Sequence, residues 1–274
     1  MTRSTLALAN VALLMSFPAA AHDLWLEPSA FRPVSGSDLT AVLLVGQKLH
    51  GESLQRNPML IDRFVLRGEG LEMPVGGEPG DDPAGSVRVS EPGLHWIGYQ
   101  SHPYPVVLEA GKFEDYLRDE GLERIVEERA RQGQSAAKGR ERFYRCAKSL
   151  LDVARQNRAA SKSHVFDTPL GFTLELVPQK NPYALSPGAE LPVSLWFRGK
   201  PIPNVLVVAI NKGVPDKAVS ARTDARGFVR LRLARPGLWL IKAVHMEAAP
   251  PDAGVDWESW WASMTFDLAS SVNK

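Results

Sequence analysis

The chain of 274 residues carries 32 lysines and arginines against 31 aspartates and glutamates, so its formal net charge is only +1. This balance gives no indication of nucleic acid or of an anionic membrane surface as a partner. A single cysteine, Cys146, excludes an intramolecular disulfide, and its apolar surroundings in the sequence indicate a small buried side chain.

Residues 1–21 have the pattern of a secretory signal peptide. Arg3 provides a positive charge, residues 6–17 form a mostly apolar run, and Ala19 and Ala21 present the small side chains that a signal peptidase reads. The run is shorter than the ~20 residues of a membrane-spanning helix, and no later stretch is long and apolar enough to span a membrane. We therefore predict cleavage after Ala21, a periplasmic location and a mature chain that begins at His22.

Three segments of different character follow. Residues 22–110 contain short apolar runs separated by Gly- and Pro-rich turns, which predicts β-strands. Residues 111–162 are rich in charge, and their apolar residues recur at helical spacing in two pieces, 113–126 and 143–154. Residues 163–274 return to the β pattern. The sequence thus predicts a mainly β fold, with two immunoglobulin-like or transthyretin-like β-sandwich units and a helical insert between them.

The two β segments also resemble each other. Residues 85–94 and 227–238 share a strand, a Pro-Gly turn and the beginning of a returning strand, which predicts one hairpin in each unit. This similarity favours two related units. A chance match is the alternative, because the chain contains 21 prolines and 22 glycines.

The six histidines form no local zinc motif such as H-E-x-x-H, so a metal site would combine distant segments. Strand alternation places His245 at the end of an apolar row, just before a polar loop, where either a structural role or a binding role is open. His50, His102 and His164 lie in predicted loops and are expected to be solvated. His95 is expected to lie at the edge of the core.

A histidine at a free N-terminus forms a chelate that an internal histidine cannot form. The α-amine and the imidazole can both act as unprotonated donors near neutral pH. Nitrogen donors of this kind suit copper, nickel, cobalt or zinc rather than calcium or magnesium. The alternative is that His22 is only the residue left by processing.

The tryptophans of "DWESWWASMTF" suggest either an aromatic platform for sugars or a short turn that covers the core. We favour the core role, because Trp257 and Trp261 are four residues apart. The chain has no G-x-S-x-G elbow and no Gly-rich phosphate loop that opens a helix. We therefore predict no enzymatic activity.

Several stretches carry a resemblance to a known family: "AHDLWLEP", "PAGSVRVSEPGLHWIGYQSHP", "KFEDYLRDEGLE", "GRERFYRCAKSLL" and "TDARGFVRLRLARPGLWLIKAVHM". Together they resemble an exported bacterial family of unknown function, whose members are often described as periplasmic nickel- or cobalt-transport accessory components. The family's N-terminal histidine falls on His22 and its strand-end histidine falls on His245. The resemblance therefore implies a metal site that these two residues share.

The combined expectation is a periplasmic, non-enzymatic accessory protein that binds a divalent transition metal. His22 and His245 would hold nickel, cobalt or copper for a membrane metal-uptake transporter. Two other functions stay open at this point: a copper-dependent oxidase that uses the same site, and a metal-free β-sandwich for adhesion or scaffolding.

Overall fold

The computed structural model describes residues 22–154 and 164–270. The predicted signal peptide, 1–21, lies outside these ranges. The described residues form 17 strands and two α-helices, which in chain order are β1 (Asp23–Pro28), β2 (Ser37–Gln47), β3 (His50–Leu54), β4 (Ile61–Gly68), β5 (Leu71–Pro74), β6 (Gly85–Val89), β7 (Gly93–Ser101), β8 (Tyr104–Leu108), α1 (Ala110–Asp119), α2 (Glu123–Arg131), β9 (Gly139–Val153), β10 (Leu174–Pro178), β11 (Glu190–Phe197), β12 (Lys200–Pro201), β13 (Leu206–Asn211), β14 (Val219–Arg222), β15 (Phe228–Arg232), β16 (Gly237–Ala248) and β17 (Trp257–Leu268).

The strands form three sheets, of which the largest spans both halves of the chain. Its nine strands follow the order β14-β13-β16-β17-β9-β7-β4-β5, with β8 paired to β9. A four-stranded sheet of β1, β2, β3 and β6 belongs to the first half, and one of β10, β11, β12 and β15 belongs to the second. Counted inward from one edge, the strands of the large sheet are β14, β13, β16 and β17; counted inward from the other, they are β5, β4, β7 and β9. Each strand of the first series has a counterpart at the same place in the second. β17 and β9 meet at the centre and pair in parallel. The two halves therefore share one strand arrangement.

Each four-stranded sheet covers a different face of the central sheet, so the fold is a pair of β-sandwiches joined edge to edge. Consecutive residues of a strand point to opposite faces. Ile97 and Leu151 accordingly contact the first four-stranded sheet, whereas their neighbours Trp96 and Leu150 contact the second. The predicted mainly β architecture with two sandwich units is confirmed.

The Pro-Gly turns were expected to close hairpins, and this expectation is wrong. β6 pairs with β2 in a four-stranded sheet, whereas β7 pairs with β4 and β9 in the central sheet. β15 and β16 are divided between sheets in the same way. The turn carries the chain from one sheet to the other, so its two strands are packed face to face.

The first predicted helical piece is confirmed as α1 and α2, which lie across the central sheet. Gly121, with φ of 69°, separates the two helices. Their buried faces form a third core with β16 and β17, in which Phe113, Leu117 and Ile125 contact Val244 and residues around it. None of the helices in the described ranges has the length and apolar character needed to cross a membrane.

The second predicted helix, 143–154, is wrong, because this segment is strand β9. The predicted insert, 111–162, extends beyond the described residues; of its described part, 111–154, only the first stretch is helical, and β9 belongs to the central sheet. Both faces of β9 are covered, because Leu150 packs in the core of the second sandwich and Leu151 packs in the core of the first. A strand buried on both faces has no polar alternation, and adjacent apolar residues such as Leu150 and Leu151 then imitate helical spacing.

Candidate binding cavity

His245 lies on the face of the central sheet that the second sandwich covers. Its ring centroid is 4.5 Å from that of Phe197 and 6.3 Å from that of Trp260. Its Nε2 atom is 3.4 Å from a carboxylate oxygen of Glu247. Burial lowers the pKa of His245, and Glu247 offsets this only in part. The predicted alternation along this strand is confirmed, because Ile241 faces the same core.

His22 lies on the opposite face of the same sheet. It lines a cavity of about 690 Å³ together with Trp261, the residue after Trp260 in β17. Since neighbouring residues of a strand point to opposite faces, the sheet itself separates His22 from His245. The structure does not bring these two imidazoles together around one ion. Metal binding by His22 stays a prediction.

The position of His22 is fixed by the residue that follows it. Lys242 reaches across from β16, and its Nζ atom is 2.7 Å from Asp23 Oδ1 and 2.8 Å from Glu120 Oε1. Burial alone would lower the pKa of Lys242, but the two carboxylates outweigh it and raise the pKa. This largely buried ion triad attaches the start of β1 to the central sheet and to the end of α1.

His50 lines the same cavity as His22. It is exposed, as expected, but it belongs to a strand rather than to a loop. It is the first residue of β3, after a two-residue turn in which Lys48 and Leu49 both have positive φ, 53° and 61°. Such turns usually contain Asn or Gly, so no local pattern indicates a hairpin here. The buried Leu49 side chain, only 3% exposed, helps to stabilise this strained turn.

The wall of the cavity opposite the β2–β3 hairpin comes from β8, α1, β9 and β17. Here Arg145 projects from β9, with its guanidinium carbon 4.7 Å from the ring centroid of Phe143 and 4.5 Å from that of Trp261. The rest of this wall is mostly apolar and includes Val106 and Leu108. The cavity therefore combines a cation with aromatic and aliphatic surface.

Glu141 lies on the same side of β9, at the base of the cavity. Tyr116 Oη donates a hydrogen bond to it at 3.2 Å, and Ser259 Oγ donates a second. Trp261 Nε1 in turn donates to Ser259 Oγ at 3.0 Å. Burial raises the pKa of Glu141 to about 7 and outweighs both of its hydrogen bonds. This carboxyl group therefore changes its charge near neutral pH.

The other residues singled out in the sequence have structural positions. His95 is buried, with Nδ1 3.1 Å from the Gly93 carbonyl oxygen, whereas His102 and His164 are exposed as expected. Cys146 is buried as predicted, and burial raises its pKa to about 12. Within the described ranges, no cluster of three or more His, Cys, Asp or Glu side chains is arranged to hold a metal ion.

The three tryptophans near the C-terminus fill the core, as we favoured. They belong to strand β17 rather than to a turn: Trp260 contributes to the second sandwich, and Trp257 and Trp261 contribute to the core beneath the helices. All three side chains are buried, which supports the core role, and Trp261 also lines the cavity that His22 lines.

Comparison with known proteins gives a family and no function. No curated protein matches the chain. Among solved structures, the D0-D1 domain of intimin is matched at 11% sequence identity, over 89% of this chain and 97% of that chain, with a TM-score of 0.19. The family described as "Domain of unknown function (DUF4198)" matches residues 19–247, most of the chain. The chain therefore belongs to the DUF4198 family.

Proposed function

We propose that this protein is a periplasmic, non-enzymatic accessory protein that binds nickel, cobalt or copper and passes the ion to a membrane transporter. The donors are the α-amine and imidazole of His22, exposed by cleavage after Ala21, and the imidazole of His50. One observation carries this proposal: His22 and His50 line the same cavity. His50 takes the place that the sequence had suggested for His245.

The strand register supports a shared ion. β1 pairs with β2 so that Asp23 lies opposite Gly46, and β2 pairs with β3 so that Gln47 lies opposite His50. Continued by one residue, this register places His22 beside Gln47. His22 and His50 then occupy one row across three strands, about 10 Å apart at Cα, with their side chains on one face. Two imidazoles pointing toward each other can close such a gap around an ion bound at about 2.0–2.1 Å.

The donor set determines the class of metal. Three nitrogens and no thiolate favour nickel, cobalt or copper over calcium or magnesium. They also leave coordination positions free, which a carrier needs in order to release its ion. A copper-dependent oxidase would use the same free positions, so turnover of a polysaccharide or peroxide by the copper-loaded protein distinguishes that alternative.

The experiment is a calorimetric titration of the protein that begins at His22 with Ni²⁺ and Cu²⁺. His22→Ala and His50→Ala are expected to weaken binding by about 10-fold or more. His245→Ala on the other face and His102→Ala at the surface are controls that retain the parent affinity. Equal affinity of parent and His50→Ala contradicts the proposed donor set. Failure of the parent to bind either ion favours the metal-free adhesion or scaffold role.

A further inference from the structure

Arg145 is a cation without an anion. Its guanidinium makes no hydrogen bond and no ion pair with any residue in the described ranges, and its Nη1 atom is sealed from solvent. The other arginines of β9 behave differently: Arg140 is paired with Asp256, and Arg142 is paired with Glu258. Because an unpaired buried charge is destabilising, the state of Arg145 requires a reason.

The nearby carboxylates do not supply that reason, since each has other partners. Asp23 and Glu120 are both held by Lys242. Glu141 accepts its hydrogen bonds from a tyrosine and a serine, and its raised pKa leaves it partly uncharged near neutral pH. The Nε and Nη2 atoms of the guanidinium are not sealed in the way that Nη1 is, so this edge of the fork keeps its N–H donors available to the cavity.

The surroundings of Arg145 suit the rest of an organic molecule. Phe143 and Trp261 flank the guanidinium and hold it in place through cation–π contacts. Apolar side chains, including Val106 and Leu108, continue the wall beyond it. The cavity volume of about 690 Å³ is within the ~300–1,000 Å³ of small-molecule sites, where mostly apolar walls and a few polar groups are usual.

We propose that the cavity binds a small organic acid with an apolar or aromatic body. The carboxylate accepts two hydrogen bonds from Arg145, and the body lies along Val106, Leu108 and Trp261. A guanidinium fork matches a carboxylate in this bidentate way. A monoanion fits better than a phosphate dianion, because the guanidinium edge matches a single carboxylate and Glu141 stands beside it.

This site does not depend on the proposed metal function. Arg145 is not a metal donor, and the acid is recognised by its carboxylate and its apolar body. Titrations are therefore made in the presence of EDTA, so that a failure of metal binding leaves their outcome unchanged. The probes are phenylacetate, its uncharged analogue phenylacetamide, acetate and inorganic phosphate.

Calorimetry with the full mature protein is expected to show saturable binding of phenylacetate. Binding of phenylacetamide should be about 10-fold weaker or more, since a hydrogen-bonded charge is lost. Acetate should also bind more weakly, because it lacks the apolar body. Arg145→Gln should lower the affinity for phenylacetate about 10- to 100-fold. Arg140→Gln, in the same strand but on the surface, is the matched control and should bind like the parent.

A second variant covers the case in which Arg145→Gln does not fold. Phe143→Leu keeps the guanidinium of Arg145 and removes one aromatic wall of the cavity. It should therefore weaken the binding of phenylacetate more than the binding of acetate. The proposal is overturned if no acid in the panel binds the parent, if phenylacetamide binds as tightly as phenylacetate, or if phosphate binds more tightly than both acids.

Discussion

Trp260 and Trp261 are consecutive in β17 and point to opposite faces of the central sheet. The first contacts the His245 ring, at 6.3 Å between centroids, and the second lines the cavity with His22. This one step along a strand separates the two histidines that the family resemblance had joined. It also defines the cavity face as the place where His22, His50 and Arg145 meet.

A buried ion pair stabilises the centre of the fold. Lys148 in β9 lies 2.7 Å from Glu175, both side chains are 2% exposed, and Nζ is 4.2 Å from the ring centroid of Trp96. We expect Lys148→Ala to lower the free energy of unfolding by about 3–5 kcal/mol, because it leaves a buried carboxylate without its cation. Urea unfolding measures this change.

The matched control for that pair is Lys138, whose side chain is 61% exposed and bonds Glu109 at the surface. Lys138→Ala should cost less than about 1 kcal/mol, since exposed pairs contribute little. Similar losses in the two variants would show that the buried pair is not the stabilising contact that its geometry indicates.

Glu141 makes stability depend on pH. Its pKa rises from 4.5 to about 7 on folding, so between these values the folded state binds more protons than the unfolded state. Stability therefore falls as pH rises through this window, by about 3 kcal/mol in all. The groups facing it are Tyr116 from α1, Ser259 from β17 and Arg145 in its own strand.

Glu141→Gln should remove this contribution to the pH dependence. Between about pH 5 and pH 8, the melting temperature of the variant should fall less than that of the parent. The stability of the variant relative to the parent should therefore increase as the pH rises. Glu109→Gln changes an exposed carboxylate and should keep the parent profile. A Glu141→Gln profile parallel to that of the parent would contradict the assigned pKa.

Two glycines near the helices should respond differently to substitution by alanine. A Cβ atom at Gly139 would lie 2.2 Å from Phe113 Cγ, whereas one at Gly111, in the first turn of α1, meets nothing within 4 Å. We expect Gly139→Ala to destabilise the fold by about 1–3 kcal/mol through overpacking. Gly111→Ala should be neutral or stabilising by up to about 1 kcal/mol. Denaturant midpoints test both, and equal shifts would refute the close packing of α1 on β9.

Local patterns predicted the β character of the fold, the first helical piece and the face of its strand on which His245 lies. These are properties of a strand or helix with one polar side, and such a side is visible in the sequence. β9 was mistaken for a helix because other sheets pack on both of its faces, and no local pattern reports such packing. The division of β6 and β7 between two sheets is likewise a tertiary property, which a Pro-Gly turn does not specify.

The site was less predictable than the fold. His22 was selected from the predicted signal-peptide cleavage alone, but its proposed partner depends on the register of three strands. His50 was assigned to a loop because the Lys48–Leu49 turn lacks Asn and Gly, and its positive φ values depend on tertiary contacts of Leu49. Arg145 was not noticed either, since its lack of an anion appears only when its neighbours in space are known.

The most direct test of the metal site counts the imidazoles bound to one ion. Pulsed electron paramagnetic resonance of the Cu²⁺-loaded protein that begins at His22 should detect two coordinated imidazoles in the parent. One should remain in His50→Ala, and two should remain in His245→Ala. A parent with a single imidazole, or loss of an imidazole on changing His245 rather than His50, would contradict this account.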